Sequence, residues 1–129
     1  MGFFQFVKTP DINRGIADCR NTEGAVLLDV RTPQEYREGH IPGSINIPLQ
    51  QLDKAIDAYD NKAVPLFVYC HSGARSRQAA AVLQSMGYTN VTNIGGIAAY
   101  NFSGGFRFYD AVVNDRALIE SAYSCGMDQ

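Results

Sequence analysis

A cysteine stands where an apolar run meets a glycine-containing turn. Cys70 closes the segment "PLFVYC", and the residues that follow it, "HSGARS", are small or polar before a helical pattern begins. A short continuous apolar run predicts a buried strand, and parallel sheets bind ligands where such strands end and loops begin. We therefore expect Cys70 to lie at the carboxyl end of a strand, beside a tight loop.

The backbone of this loop predicts stabilisation of an anion at the sulfur. The N–H groups of residues 71 to 75 would converge on Cys70, and the helix that begins near Arg75 adds the positive end of its dipole. Such surroundings lower the pKa of a thiol and hold a negatively charged sulfur bonded to it, such as a persulfide. A structural interpretation competes, because a cysteine at the end of a buried strand also serves as a small hydrophobic side chain.

The side chains of the same segment favour an anionic ligand. His71, Arg75 and Arg77 bring positive charge that attracts an anionic sulfur donor. Gly73 supplies the backbone freedom that a tight cradle requires. Ser76 either caps the helix or donates a hydrogen bond to the sulfur. This combination indicates nucleophilic chemistry at the thiolate.

Strands and helices alternate along the rest of the chain. Repeated strand, helix, strand order with helix-length crossovers predicts an α/β fold with a mostly parallel sheet and helices on both faces. Strands are expected at 3 to 7, 25 to 30, 44 to 49, 65 to 70 and 90 to 96, and helices at 9 to 19, 32 to 40, 49 to 59 and 75 to 86.

Local signals predict how three of these helices begin or end. Thr9 is expected to cap the first helix. Thr32 and Glu35 have the spacing of a capping box at the second. Gly87 is expected to end the helix at 75 to 86. The buried face of that helix is predicted to consist of Ala79, Val82, Leu83 and Met86.

Composition and charge exclude few function classes but support a soluble single-domain protein. The chain has 129 residues, 46% hydrophobic and 19% charged, with a formal net charge of -2, so bulk charge does not indicate nucleic-acid or membrane binding. No apolar run approaches the roughly 18 to 20 residues of a membrane helix, and the amino terminus shows no secretion signal. The three cysteines and two histidines match neither a disulfide scaffold nor a zinc pattern. We expect reduced thiols in the cytoplasm.

Three motifs, taken together, resemble a known family. "CHSGARS" at 70 to 76 is similar to the active-site loop of single-domain rhodaneses, the thiosulfate and related sulfurtransferases. "LLDVRTPQEYREGHIPGSINIP" at 27 to 48 resembles the rhodanese segment DVR-x-x-x-E-[YF]-x-x-G-HI-x-GA-x-NIP. Gly95 and Gly96 resemble the glycine pair near the end of that domain. The resemblance covers about residues 5 to 105.

This resemblance implies a fold, a reaction and a set of site residues. The fold is a rhodanese-like α/β domain with a central, parallel, five-stranded sheet, at 1 to 105. The resemblance implies nothing about 106 to 129, which we expect from its own pattern to be a partly helical extension packed on the domain. The reaction is a ping-pong sulfur transfer through a persulfide on Cys70, without a metal or organic cofactor. The loop that binds the donor and stabilises the persulfide comprises His71, Ser72, Gly73, Ala74, Arg75 and Ser76.

Loop length distinguishes rhodaneses from phosphatases that share their fold. The phosphatase loop resembles C-x5-R, whereas Cys70 and Arg75 give C-x4-R. A ring shorter by one residue suits a sulfur atom better than a tetrahedral oxyanion, and the loop has no aspartate or glutamate to act as general acid. Phosphatase or arsenate reductase activity remains an alternative of lower rank.

Other polar residues have competing interpretations. Asp29 and Arg31 end a predicted strand and support the site, either because they tie strand ends to neighbouring backbone, which we favour, or because Asp29 pairs with Arg75. The capping box accounts for Glu35, and His40 is expected to bond locally. Cys125 is a candidate second thiol, with an idle tail cysteine as the simpler interpretation.

Two functional hypotheses follow. The first is a sulfurtransferase that takes sulfur from thiosulfate or a persulfide donor and passes it to a thiophile, such as cyanide in vitro. The second is a persulfide carrier or protein-binding module, for which a sulfur-donor or sulfur-acceptor protein would be the partner. Neither hypothesis involves nucleic acid or a membrane.

Overall fold

A parallel sheet forms the centre of the protein. The computed structural model describes residues 10–54 and 58–100. Its strands are β1 (Val26–Asp29), β2 (Ser44–Asn46), β3 (Leu66–Cys70) and β4 (Val91–Gly96). The sheet has the order β2-β1-β3-β4, and every neighbouring pair of strands is parallel.

The central strand β3 divides the core between the two faces of the sheet. All five of its residues are buried. Because side chains alternate along a strand, they fall into two sets. Leu66, Val68 and Cys70 join one hydrophobic cluster, whereas Phe67 and Tyr69 join the other. Burial on both faces explains why the strand reads as a continuous apolar run.

Helix α1 (Ile12–Arg20) covers one face and packs against β1, β3 and β4. Its N-cap is Asp11, whose carboxylate accepts hydrogen bonds from the N–H groups of Asn13 and Arg14. The prediction that Thr9 caps this helix is therefore wrong. The helix begins later than predicted because the carboxylate of Asp11 satisfies its first free N–H groups.

Helix α3 (Ala74–Ser85) covers the opposite face against β3 and β4. Ala79 and Leu83 are buried as predicted, but Val82 is 36% exposed, so its assignment to the buried face is wrong. Ser76 and Ala80 complete that face instead, because the helix is rotated so that its first turn presents a serine to the sheet. Gly87, with φ of +103°, follows the helix end as predicted.

The segments between β1 and β3 confirm one local prediction and correct another. Helix α2 (Pro33–Glu38) begins with the predicted capping box, in which Thr32 and Glu35 bond reciprocally. The helix predicted at 49 to 59 begins instead as a 3-10 turn, Leu49–Gln51. Leu52 is buried, as its predicted helical face requires, and residues 55–57 lie outside the described residues.

The predicted α/β class, parallel sheet and helices on both faces are confirmed. The strand count differs, since the described part of the chain holds four strands and not five. The strand predicted at 3 to 7, the extension at 106 to 129 and Cys125 lie outside the described residues. Among residues 10–54 and 58–100, no helical segment combines the length and the hydrophobicity that a membrane span requires.

Candidate active site

The sulfur of Cys70 lies between the end of β3 and the start of α3. Only His71, Ser72 and Gly73 separate the strand from the helix, which produces the tight loop that the sequence predicts. Cys70 is fully buried. The N–H of Gly73 donates to its Sγ at 2.9 Å. The loop therefore directs a backbone donor at the thiol.

Hydrogen bonds make Cys70 more acidic than an ordinary cysteine. Burial acts in the opposite direction, because it disfavours the charged thiolate. Hydrogen bonds from the Ser76 hydroxyl and from the N–H groups of Ser76, Gly73 and Arg75 outweigh burial and lower the pKa of Cys70. The site thus favours a thiolate, the nucleophilic form of the residue.

Ser76 connects the sulfur to strand β4. The thiol of Cys70 donates to its hydroxyl at 3.6 Å, and the hydroxyl donates to Oδ1 of Asn93 at 2.7 Å. The N–H of Gly95 donates to the same oxygen at 3.0 Å, which fixes the orientation of the amide. Of the two roles predicted for Ser76, capping is not observed, since the N-cap of α3 is Gly73. The hydroxyl does lie beside the sulfur, but there it accepts from the thiol, and the predicted donation applies to the thiolate form.

Asn93 was not anticipated from the sequence. Its only signal was a polar side chain inside the strand predicted at 90 to 96. This signal is not distinctive, because strands with one solvent-exposed face carry polar residues routinely.

The glycine pair of β4 lies directly against the loop. A Cβ atom on Gly96 would lie 2.2 Å from the carbonyl oxygen of His71 and 2.6 Å from Cα of Ser72. Gly95 has φ of +103°, which side chains rarely allow. The N–H of Ala98 donates to the same His71 oxygen at 3.0 Å. Glycine at position 96 therefore permits the backbone of the loop to sit on β4.

Arg75 is paired with Glu35, an arrangement that the sequence did not reveal. Its two terminal nitrogens donate to Oε1 and Oε2 of Glu35 at 2.8 and 3.0 Å. The Arg75 side chain is the largest cause that lowers the pKa of Glu35 to about 2, with Thr32 adding smaller contributions. Glu35 thus has a role beyond its capping box, and that role brings its negative charge to the active-site loop.

Asp29 and Arg31 form a separate buried pair. The carboxylate of Asp29 accepts from Nε and a terminal nitrogen of Arg31, with a shortest distance of 2.7 Å. Arg31 also donates to the carbonyl oxygen of Gly39 at 2.7 Å. This geometry matches the interpretation in which Asp29 and Arg31 tie strand ends to neighbouring backbone. Arg75 pairs with Glu35 and not with Asp29.

The two histidines occupy different surroundings. His40 is buried, its Nδ1 lies 2.8 Å from the carbonyl oxygen of Tyr36, and its ring stacks on the Tyr36 ring with centroids 3.7 Å apart. This local bonding is as predicted. His71 is exposed and lines an open cleft of about 760 Å³. Ser72, Gly73, Ala74 and Arg77 also line it.

Cys19 is remote from this arrangement. It belongs to the hydrophobic cluster on the α1 face of the sheet, whereas Cys70 belongs to the cluster on the α3 face. Burial raises the pKa of Cys19. The two thiols therefore differ in both position and acidity, and only Cys70 has the surroundings of a nucleophile.

Known proteins share both the sequence pattern and the fold. Residues 13–103 match the model of the rhodanese-like domain. Thiosulfate sulfurtransferase PspE of Escherichia coli is 44% identical over 71 residues, which are 54% of this chain and 68% of that protein. A protein named sulfurtransferase from Allochromatium vinosum is 36% identical over 95 residues, 73% of this chain and 85% of that protein.

A solved structure gives the same result. The structure described as rhodanese with anions, from E. coli, matches with a TM-score of 0.56 and 39% identity, over 58% of this chain and 89% of that one. Fold, motif order and the matched range 13–103 agree. The chain belongs to the rhodanese-like domain family.

Proposed function

We propose that the protein is a sulfurtransferase that carries sulfur as a persulfide on Cys70. The observation that carries this proposal is the buried sulfur with the Gly73 N–H at 2.9 Å. The lowered pKa of Cys70 supports it, because the thiolate is the attacking species. The names of two relatives, a thiosulfate sulfurtransferase and a sulfurtransferase, point to the same reaction.

The reaction has two steps. In the first, the Cys70 thiolate attacks the outer sulfur of the donor, a new sulfur–sulfur bond forms, and the donor's own sulfur–sulfur bond breaks. When the donor is thiosulfate, the leaving group is sulfite. When the donor is a persulfide, the leaving group is the corresponding thiol. In the second step, the terminal sulfur passes to a thiophile, such as cyanide or an acceptor thiol, and Cys70 returns to the thiolate.

The loop supplies what these steps require. The N–H groups of Gly73, Arg75 and Ser76 that stabilise the thiolate also suit the negative charge of a persulfide. His71 lines the cleft beside them and is placed to contact a donor. The short C-x4-R spacing makes this cradle more suited to one sulfur atom than to a phosphate group.

The test compares the protein with Cys70→Ser. We expect thiocyanate formation from thiosulfate and cyanide with the wild type, a gain of one sulfur atom by mass spectrometry after donor alone, and neither with the variant. Absence of both in the reduced wild type would contradict the proposal and return phosphatase activity to consideration.

The carrier hypothesis predicts a different result from the same experiment. A carrier would gain one sulfur atom on Cys70 but turn over slowly with cyanide, because its acceptor is a protein. Rapid turnover with small molecules would therefore favour the enzyme over the carrier.

A further inference from the structure

The arginine of the active-site loop is already engaged by a carboxylate. Both terminal nitrogens of Arg75 donate to Glu35, at 2.8 and 3.0 Å, in a bidentate pair. The two side chains are only 35% and 31% exposed. An anionic donor that recruited Arg75 would have to replace two charge-assisted hydrogen bonds, which are among the stronger contacts in proteins.

Glu35 is itself held in place and ionised. Its Oε1 accepts from the N–H of Thr32 at 3.0 Å and from the Thr32 hydroxyl at 3.1 Å. Its pKa of about 2 keeps it charged wherever Cys70 can act as a thiolate. A glutamine would satisfy the capping box equally well. The negative charge is therefore required by the pair with Arg75 and not by the cap.

This pair leaves little positive charge for a doubly charged donor. Arg77 is the only arginine or lysine among the described residues that line the cleft. Attack of a thiolate on thiosulfate brings three negative charges together. When the donor is a neutral persulfide, R–S–SH, the same attack involves only the one negative charge of the thiolate. The energetic demand for positive charge is therefore much smaller for the persulfide.

We propose that Glu35 determines donor specificity by neutralising Arg75, so that the site takes sulfur from a persulfide in preference to thiosulfate. This inference rests on the sulfurtransferase function proposed above. In the step concerned, the Cys70 thiolate bonds to the outer sulfur of R–S–SH, the donor's sulfur–sulfur bond breaks, and RS⁻ leaves. The transferred sulfur arrives with its proton, which is released to solvent when the Cys70 persulfide takes its anionic form in the loop, and no oxidant or reductant is consumed.

Two variants separate the charge of Glu35 from its structural role. Glu35→Gln keeps the capping box and removes the charge, whereas Thr32→Ala removes the cap and keeps the pair. Thiosulfate binding is measured by calorimetry in a Cys70→Ser background, in which no sulfur transfer takes place. We expect Glu35→Gln to tighten thiosulfate binding about tenfold, the size of one added charge-assisted hydrogen bond, and Thr32→Ala to leave it unchanged.

A further variant assigns the gain to Arg75. With Arg75→Gln also present, Glu35→Gln should no longer tighten thiosulfate binding, since the freed guanidinium is gone. Unchanged or weaker binding in Glu35→Gln alone would overturn the inference, and so would an equal gain in Thr32→Ala. Thermal unfolding of each variant establishes that it is folded.

Activity measurements with Cys70 present complete the test. In Glu35→Gln, kcat/KM should rise about tenfold with thiosulfate and stay within about twofold with the persulfide of 2-mercaptoethanol, whose organic part is uncharged. A wild type that accepts sulfur from neither donor contradicts the proposed function, while the calorimetry still reports on the charge pair. A wild type that turns over, with an unchanged donor ratio in Glu35→Gln, contradicts the specificity inference alone.

Discussion

At the scale of single residues, the acidity of Cys70 depends on donors that converge on one atom. Burial by itself would make the thiol a weaker acid, and the hydrogen bonds from the loop and from Ser76 reverse that effect. The Ser76 hydroxyl is held by Asn93 at 2.7 Å, so its position does not depend on the sulfur alone. When the thiol ionises it no longer donates to the serine, and the hydroxyl proton turns from Asn93 to the sulfur, where it stabilises the thiolate. Asn93 Oδ1 keeps its hydrogen bond from the N–H of Gly95.

Replacing this serine should make the thiol less acidic. We expect Ser76→Ala to raise the pKa of Cys70, because one donor to the thiolate is lost, and to reduce the thiolate fraction at neutral pH about three- to tenfold. The measurement is a thiolate absorbance titration, corrected by subtracting the same titration of Cys70→Ser. Ser85→Ala is the matched control, since that hydroxyl lies at the far end of α3 and donates to the Val82 carbonyl. Identical titrations of wild type and Ser76→Ala would contradict this account.

At the scale of elements, the neighbours of β3 build the site from two sides. The register pairs Asp29 of β1 with Tyr69, and Gly96 of β4 with Cys70. Helix α2 follows β1, and α3 follows β3, so both helices begin at the same edge of the sheet. This adjacency brings Glu35 to Arg75 from one side, and β4 brings the glycine pair under the loop from the other.

The contact between β4 and the loop predicts that Gly96 is essential. Gly96→Ala would place its Cβ 2.2 Å from the His71 oxygen, a backbone atom that cannot move without displacing the loop. We expect sulfur transfer to fall at least about tenfold, since small misplacements at a reacting centre have large effects on rate.

Gly24→Ala serves as the control for loss of a glycine. Gly24 also has a positive φ, of +76°, but a Cβ there would meet no atom within 4 Å. Stability should fall by about 1 to 2 kcal/mol, with turnover unchanged. Full turnover in Gly96→Ala would show that the loop does not depend on this contact.

At the scale of the whole molecule, the sheet places Cys19 and the candidate nucleophile Cys70 on opposite faces. Cys19 packs in the cluster under α1, and Cys70 ends the cluster under α3. Gly15 allows α1 to approach β4 closely, because a Cβ there would lie 2.3 Å from the Cβ of Ile94. The face under α1 thus packs closely against that helix, whereas the face under α3 ends at the loop that follows Cys70.

The ion pair that joins α2 to α3 should make global stability depend on pH. Hydrogen bonding to Arg75 lowers the pKa of Glu35 from 4.5 to about 2 in the folded protein. The pair therefore stabilises the fold fully above pH 4.5, and this contribution is lost as the pH falls towards 2. Because both side chains are partly exposed, we expect at most about 1 kcal/mol.

Urea unfolding at pH 7 and pH 3 measures this contribution. The difference in free energy of unfolding between wild type and Glu35→Gln should be larger at pH 7 than at pH 3. Equal differences at the two pH values would show that the pair does not link the helices energetically.

The sequence by itself determined the features that depend on local pattern. The apolar run ending at Cys70 predicts β3, the spacing of Thr32 and Glu35 predicts the start of α2, and the resemblance identifies the family. Periodicity and capping act over a few residues, so they can be recognised without knowing the fold.

The tertiary structure alone decided which distant residues meet. Glu35 lies 40 positions from Arg75, and Ser76 lies 17 from Asn93. No local signal encodes either contact, because each depends on the strand order β2-β1-β3-β4 and on the register that brings the strand ends together. The candidate nucleophile was therefore readable from the sequence, whereas the pairing of Arg75 with Glu35 became visible only when the parallel sheet placed two helix starts side by side.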